Sequence, residues 1–283
     1  MTAKKTLVVY HGDCTDGFTS AWAAWLMYGD NAEYIPAYYS PDEEFDVKGR
    51  FVYFLDYCPS REKLLQYSEE AKLLKVFDHH VGARRICGDL AFCEFDMERS
   101  GAGMSWDFFQ KGTPRPALVN YVEDRDLWRY DLHKSSEVSK YIFSFPLGDF
   151  QLWSTLRDDI ENNLFTKVIP IGDALERSAN TAIQTILKNT QTMDFLGNEA
   201  VPIVNTTLYM SEIGNILAED APFAVVWYQN GDGKFKYSLR STDRVDLSRL
   251  AALVGGGGHA NAAGFVSALP PWELGKLPNA SSS

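Results

Sequence analysis

Leu73-Leu74-Lys75-Val76-Phe77-Asp78-His79-His80 decides how the rest of this chain is read. Leu73–Phe77 is a mostly apolar, strand-like run, and it ends on an aspartate and two histidines. A short apolar run of this kind reads as a strand. Working outward, similar runs stand at Thr6–Tyr10, Ala32–Tyr39, Phe51–Asp56 and Leu90–Phe95, with helical patterns at Thr19–Tyr28 and Ser60–Ala71 among them. Strands alternating with helices predict an α/β layer with a largely parallel sheet. Ligands in such sheets sit beyond the carboxyl ends of the strands. His11, Asp56 and Asp78 each fall at the end of such a run.

From Ser100 to about Gln191 the pattern is mostly helical, with candidates at Gly101–Gln110, Ala117–Asp124 and Asp173–Thr192. From Glu199 short strands return at Val201–Asn205, Phe223–Tyr228 and Phe235–Arg240. Asn230-Gly231-Asp232-Gly233 between the last two predicts a hairpin. A helix at Leu247–Val254 then leads into Gly255-Gly256-Gly257-Gly258-His259, and the chain ends in a small polar tail, Pro278–Ser283. The expected organisation is a parallel-sheet domain over 1–150, a helical connector over 151–195 and a smaller α/β domain over 196–283, with ligands bound in the cleft between the two domains.

Composition narrows the function. The 283 residues are 45% hydrophobic and carry a formal net charge of −11. A protein that grips long duplex DNA needs a basic face to neutralise many phosphates, and no long Lys/Arg block exists here. A small phosphorylated substrate fits better, with no long duplex DNA and no membrane as partners. The short apolar stretch after Lys4-Lys5 is too brief for a signal peptide, so the expectation is a cytoplasmic protein. Cys14, Cys58, Cys87 and Cys93 lack zinc-ribbon spacing and are read as free thiols.

Four segments place acids or histidines beside predicted strands or helices: His11-Gly12-Asp13-Cys14-Thr15-Asp16-Gly17, Leu55-Asp56-Tyr57, Phe77-Asp78-His79-His80 and Val122-Glu123-Asp124-Arg125-Asp126. A lone aspartate at a strand end is commonly a turn or a helix cap. Four such segments in order point to one shared site. Two divalent ions about 3.5–4 Å apart need several carboxylates and one or two imidazoles. A mixed oxygen and nitrogen donor set favours Mn²⁺ or Mg²⁺.

Asp78-His79-His80, with His11-x-Asp13-x-x-Asp16-Gly17 upstream and Asp56 between, resembles the DHH phosphoesterase superfamily, which includes RecJ-type nucleases, nanoRNases, cyclic-dinucleotide phosphodiesterases, exopolyphosphatases and family II pyrophosphatases. Gly256-Gly257-Gly258-His259-x-x-Ala262-Ala263-Gly264 resembles that family's associated substrate-binding domain. The resemblance runs from about His11 to Phe265 and implies two Mn²⁺ ions, with Mg²⁺ as the substitute. His11 with Asp13 or Asp16 would bind one ion and the remaining first-motif carboxylate the other. Asp56 would bridge both, and His79 would be a direct ligand. Asp124 would supply the fourth-motif ligand, with Asp126 as the competing choice. Asp78 and His80 are the catalytic candidates, His80 facing the substrate phosphate and Asp78 orienting its neighbours. The RecJ-like spacing has one residue between the first-motif aspartates where this chain has two; Asp16, followed by Gly17, matches the pattern better.

The glycine cluster suits a loop feeding a helix N-terminus, an arrangement that binds phosphate. Gly256, Gly257, Gly258 and His259 are the expected substrate-binding residues, joined by Arg240, which resembles the family's substrate-contacting arginine. Trp22, Trp25 and Trp106 have the helical spacing of core residues, while Tyr57 and Trp128 stand beside expected ligands within reach of a base or ribose. The implied function is hydrolysis of short oligonucleotides, dinucleotides or similar small phosphodiesters by a two-metal-activated water. An exopolyphosphatase, another small phosphate-ester hydrolase and a non-catalytic nucleotide sensor are the competing functions.

Overall fold

The computed structural model of the chain describes residues 4–38, 43–242 and 244–276. Tyr39 and the tail Pro278–Ser283 lie outside the described residues. The chain divides into two compact units, Met1–Glu176 and Arg177–Ser283.

The first unit holds five strands, β1 (Thr6–His11), β2 (Ala32–Ala37), β3 (Phe51–Leu55), β4 (Leu73–Asp78) and β5 (Cys93–Phe95), in the order β2-β1-β3-β4-β5. Every neighbouring pair is parallel. Successive residues of a strand point to opposite faces, and both faces here are covered. Val8, Tyr10, Tyr53, Leu55 and Phe77 join one apolar cluster; Leu7, Val9, Val52, Phe54, Leu74 and Val76 join another. Two-sided burial is the reason these strands read as continuous apolar runs.

Between the strands run α1 (Thr15–Tyr28), α2 (Arg61–Glu70) and α3 (Val81–Cys87), and after β5 come α4 (Gly101–Phe109), α5 (Ala117–Asp126), α6 (Ser135–Phe143) and α7 (Phe150–Asn163). A π-helical turn at Leu164–Val168 leads into α8 (Ile169–Leu187), within which the boundary between the units falls. Trp22 and Trp106 are buried, and Trp25 packs against the same core. Trp153 is fully buried, and its Nε1–H donates to Thr19 Oγ1 at 3.0 Å, fastening α7 to α1. All four cysteines are free thiols.

The second unit carries a mixed sheet of β6 (Gln191–Phe195), β7 (Asn198–Asn205), β8 (Ala224–Gln229), β9 (Phe235–Arg240), β10 (Gly257–Gly258) and β11 (Ala262–Ser267), ordered β10-β11-β9-β8-β7-β6. Helices α9 (Met210–Ala218), α10 (Leu247–Ala252) and α11 (Pro271–Leu274) complete it. The expected hairpin joins β8 to β9 in antiparallel register. The helix expected over Asp173–Thr192 stops short, because Gln191 and Thr192 already pair with Ile203 and Pro202 in the sheet.

The glycine cluster corrects one expectation: a strand follows it rather than a helix N-terminus. Gly255 (φ 79°) ends α10, its N–H donating to Ala252 O at 3.2 Å, the left-handed stop that glycine makes easily. Gly258 (φ 136°) runs so close to β11 that an added Cβ would lie 2.5 Å from Ala262 O and 2.6 Å from Ala263 Cα. Hence part of the cluster serves close backbone pairing.

Trp153→Ala should destabilise the protein by about 3–5 kcal/mol, read as a lower midpoint in urea denaturation.

Candidate metal centre

Three adjacent strands deliver the first side chains. β1 ends on His11, β3 passes directly to Asp56, and β4 ends on Asp78 with His79 next. Asp56 is buried and holds a left-handed backbone (φ 53°), uncommon for any residue but glycine. Its N–H donates to Phe77 O at 2.8 Å, which ties the turn to β4. One carboxylate oxygen, Oδ2, lies 3.3 Å from His11 Nδ1, and the other, Oδ1, lies 3.3 Å from His79 Nε2. Cys14 Sγ–H donates to Oδ2 at 3.5 Å.

Asp16 comes from the first turn of α1 and is buried. Its oxygens accept the N–H groups of Gly101 (2.7 Å) and Ala102 (2.9 Å), the first residues of α4. Ser100 caps that helix by accepting the Gly103 N–H at 3.2 Å. A helix N-terminus favours an anion, so α4 holds the carboxylate in place. Glycine is required at position 101, where a Cβ would stand 2.6 Å from Asp56 Cβ and 2.9 Å from Asp16 Oδ2.

The last turn of α5 resolves the two candidate acids differently. Asp126 places Oδ2 3.3 Å from His79 Nε2, and it groups with Asp16 and His79 within 4.8 Å. Asp124 spends its oxygens on the following loop: Oδ1 accepts Asp131 N–H at 2.9 Å, and Oδ2 accepts Leu132 N–H at 3.2 Å and Ser135 Oγ–H at 2.5 Å. Asp13 is exposed and belongs to none of the metal-capable groups found among the described residues. The structure thus brings together His11, Asp16, Asp56, His79 and Asp126.

Asp78 organises the histidine pair. Its Oδ1 accepts the N–H of His79 (2.7 Å), the N–H of His80 (3.2 Å) and the His80 Nδ1–H (2.6 Å). Glu123, one turn before Asp126, accepts Ser100 N–H at 3.0 Å and Arg115 Nη1–H at 2.9 Å. Arg115 and Arg99 both reach Asp107 at 2.6 Å. This chain of charges fixes the start of α4, which grips Asp16, against α5, which carries Asp126. The sequence assigns Glu123 no role, and it places Cys14 beside a candidate ligand as a residue lining the site, which here contacts Asp56.

Charge tests whether a cation fits here. Burial and the neighbouring carboxylates of Asp56 and Asp126 push the Asp16 carboxyl well above its usual range, and burial with Asp56 raises Asp126 as well. Burial alone would raise Asp56, but hydrogen bonds from His11 and His79 hold it well below the usual carboxylate range. Burial would depress His79, yet its bond to Asp56 and the charges of Asp126, Asp56 and Asp16 push it up to about 10. Burial opposes His80 too, and Asp78 lifts it to about 9. Three carboxylates crowd one imidazole, and positive charge is what the cluster lacks. Asp56 Oδ1 is buried, with His79 Nε2 at 3.3 Å and His80 Nδ1 at 3.8 Å. Oxygen and imidazole donors of this kind fit Mn²⁺ or Mg²⁺.

In the second unit, Arg240 donates to Ser238 Oγ (2.9 Å), Leu239 O (2.8 Å) and Ser211 Oγ (2.7 Å). His259 sits in the turn between β10 and β11, its N–H donating to Ala262 O at 2.8 Å. A Cβ added at Gly257 would meet nothing within 4 Å, so chain packing does not demand glycine there. Tyr57 is buried, and its hydroxyl donates to Glu43 Oε2 at 3.0 Å, which takes it out of the base-contacting candidates.

Residues 207–280 match the family model described as the DHHA1 domain. The chain is 32% identical over 287 residues to uncharacterized protein R106 of Acanthamoeba polyphaga mimivirus, an alignment covering 92% of this chain and 67% of that protein. It is 25% identical over 240 residues to oligoribonuclease NrnB of Bacillus subtilis (strain 168), covering 76% of this chain and 58% of that protein. A solved structure described as the DHH domain of a member of a ribosomal protein family shares the fold at a TM-score of 0.57 and 13% identity, over 93% of this chain and 83% of that one.

Asp126→Ala should weaken Mn²⁺ binding by more than about tenfold with little change in stability. Asp124→Ala should instead lower stability by at least about 3 kcal/mol, because three donors lose their acceptor. Calorimetric Mn²⁺ titration and urea denaturation of both variants check the pair.

Proposed function

Because this chain belongs to the DHH phosphoesterase superfamily, we propose that it is a metal-dependent phosphodiesterase hydrolysing short oligonucleotides, dinucleotides or similar small phosphodiesters. The observation that carries the reading is the Asp56 carboxylate, one oxygen 3.3 Å from His11 and the other 3.3 Å from His79. A carboxylate so shared suits the bridging position of a two-ion site. The name of the Bacillus subtilis relative, an oligoribonuclease, supports the substrate class. The net charge of −11 favours a small substrate over a long duplex. Among the described residues no helix is long and apolar enough to cross a membrane; a cytoplasmic setting is part of the proposal.

His11, Asp16, Asp56, His79 and Asp126 would hold the ions. When bound, two divalent cations acidify water and neutralise phosphoryl oxygens. The chain's own residues do the rest. The α4 N-terminus keeps Asp16 in place, and Asp78 fixes the orientation of His80, whose imidazole we assign to the substrate phosphate. Arg240, Gly256, Gly257, Gly258 and His259 are assigned to substrate binding in the second unit. Arginine suits phosphate through its planar fork of donors.

A Mn²⁺-supplemented panel of dinucleotides, short RNA and DNA, cyclic dinucleotides, pyrophosphate and polyphosphate should show turnover of the short phosphodiesters, abolished by chelation. Turnover of polyphosphate alone would overturn the substrate class. Asp56→Ala and His79→Ala should each lose activity while keeping the circular dichroism of the parent. Arg240→Ala should raise KM more than it lowers kcat. Gly257→Ala should leave stability unchanged and raise KM, the mark of close ligand approach to bare backbone.

A further inference from the structure

Immediately after Asp126 the chain builds an aromatic stack that the metal centre does not use. Trp128 is two residues beyond Asp126 and 38% exposed. The Arg125 guanidinium lies over its ring at 4.1 Å, over Tyr130 at 5.9 Å and over Phe143 at 5.6 Å. The Trp128 and Tyr130 rings meet edge to face, with centroids 5.2 Å apart. Both residues hold left-handed backbones, φ 56° and 55°. For bulky side chains such a conformation is strained and persists only where surrounding contacts impose it.

Those contacts are specific. Asp124 O accepts the N–H of Arg129 at 2.9 Å and of Tyr130 at 3.5 Å, Arg125 O accepts the N–H of Trp128 at 3.1 Å, and the Asp124 carboxylate takes Asp131, Leu132 and Ser135. A buried aspartate therefore holds a strained loop whose result is an exposed indole backed by a cation. Core packing does not account for that indole, since neither Trp128 nor Tyr130 belongs to the apolar core of the unit.

We propose that Trp128, backed by Arg125 and edged by Tyr130, is a nucleobase platform that stacks a base of the substrate held at the Asp126 side of the metal centre. The inference rests on the oligonucleotide reading given above and adds where a base is recognised. Stacking is tolerant of sequence because every base has a π-face. Trp128 is partly exposed with the Arg125 guanidinium over its ring at 4.1 Å, and a flat heteroaromatic ring suits such a cation-backed indole. A single residue, Leu127, separates Asp126 from Trp128 along the chain.

The test is equilibrium binding of adenosine 5′-monophosphate and of ribose 5-phosphate, which has no base, with Mn²⁺ present. Wild-type protein should prefer the nucleotide by about tenfold or more. Trp128→Ala should lose that preference while binding ribose 5-phosphate as before, and Trp128→Phe should keep most of it. The position is exposed, and an unchanged urea midpoint certifies the variants. Equal affinity of wild type for both ligands, or an undiminished preference in Trp128→Ala, would overturn the platform. Oligonucleotide hydrolysis is read separately. A base preference lost in Trp128→Ala, in a protein that cleaves no oligonucleotide, would remove the hydrolase reading and leave the platform standing.

Discussion

Like charge forced together in a buried place governs the first unit. Asp16, Asp56 and Asp126 converge on His79, and the ligand atoms of Asp16, Asp126 and His79 lie within 4.8 Å of one another. Two like charges about 4 Å apart repel by about 4 kcal/mol at an effective dielectric near 20. An ordinary hydrogen bond returns about 1 kcal/mol, so hydrogen bonding alone does not explain the arrangement. Against the effect of burial, the carboxylates of Asp56, Asp126 and Asp16 push the His79 pKa upward in response, which is the local electrostatic sign of that crowding.

Holding that cluster in shape takes rigid parts. The parallel sheet sets His11, Asp56 and His79 at neighbouring strand ends, spaced by the sheet itself. α4 contributes no charged side chain to the group; it contributes two backbone N–H groups and a glycine that lets them approach. The Glu123–Arg115–Asp107–Arg99 chain then relates the start of α4 to α5. Its outer members are partly exposed, where a single ion pair is worth little. Linked through Glu123, which also receives the Ser100 N–H, they act on geometry more than on overall stability.

Much of this was legible in the sequence, and for physical reasons. Strands buried on both faces leave continuous apolar runs, so β1, β3 and β4 and the polar residues at their ends stood out. The hairpin at Asn230–Gly233 announced itself through its turn residues. The glycine cluster misled because glycine serves several backbone needs. A left-handed helix stop at Gly255 and close strand pairing at Gly258 look, in one dimension, like an anion loop ahead of a helix.

The choice between Asp124 and Asp126 shows where a linear reading ends. Residues two apart on a helix differ by about 200° in direction, so only one of them can face the strand ends. The apolar pattern of α5 does not decide which, because Leu118, Val119, Tyr121 and Val122 are buried around much of its circumference. What decides it is the loop after the helix. Its backbone needs acceptors at Asp131 and Leu132 and finds them on Asp124, which commits that carboxylate to structure. Asp126 is left to face His79. The fold has thus given two neighbouring acids different partners, the following loop for Asp124 and His79 for Asp126, and only the loop's hydrogen bonds reveal which is which.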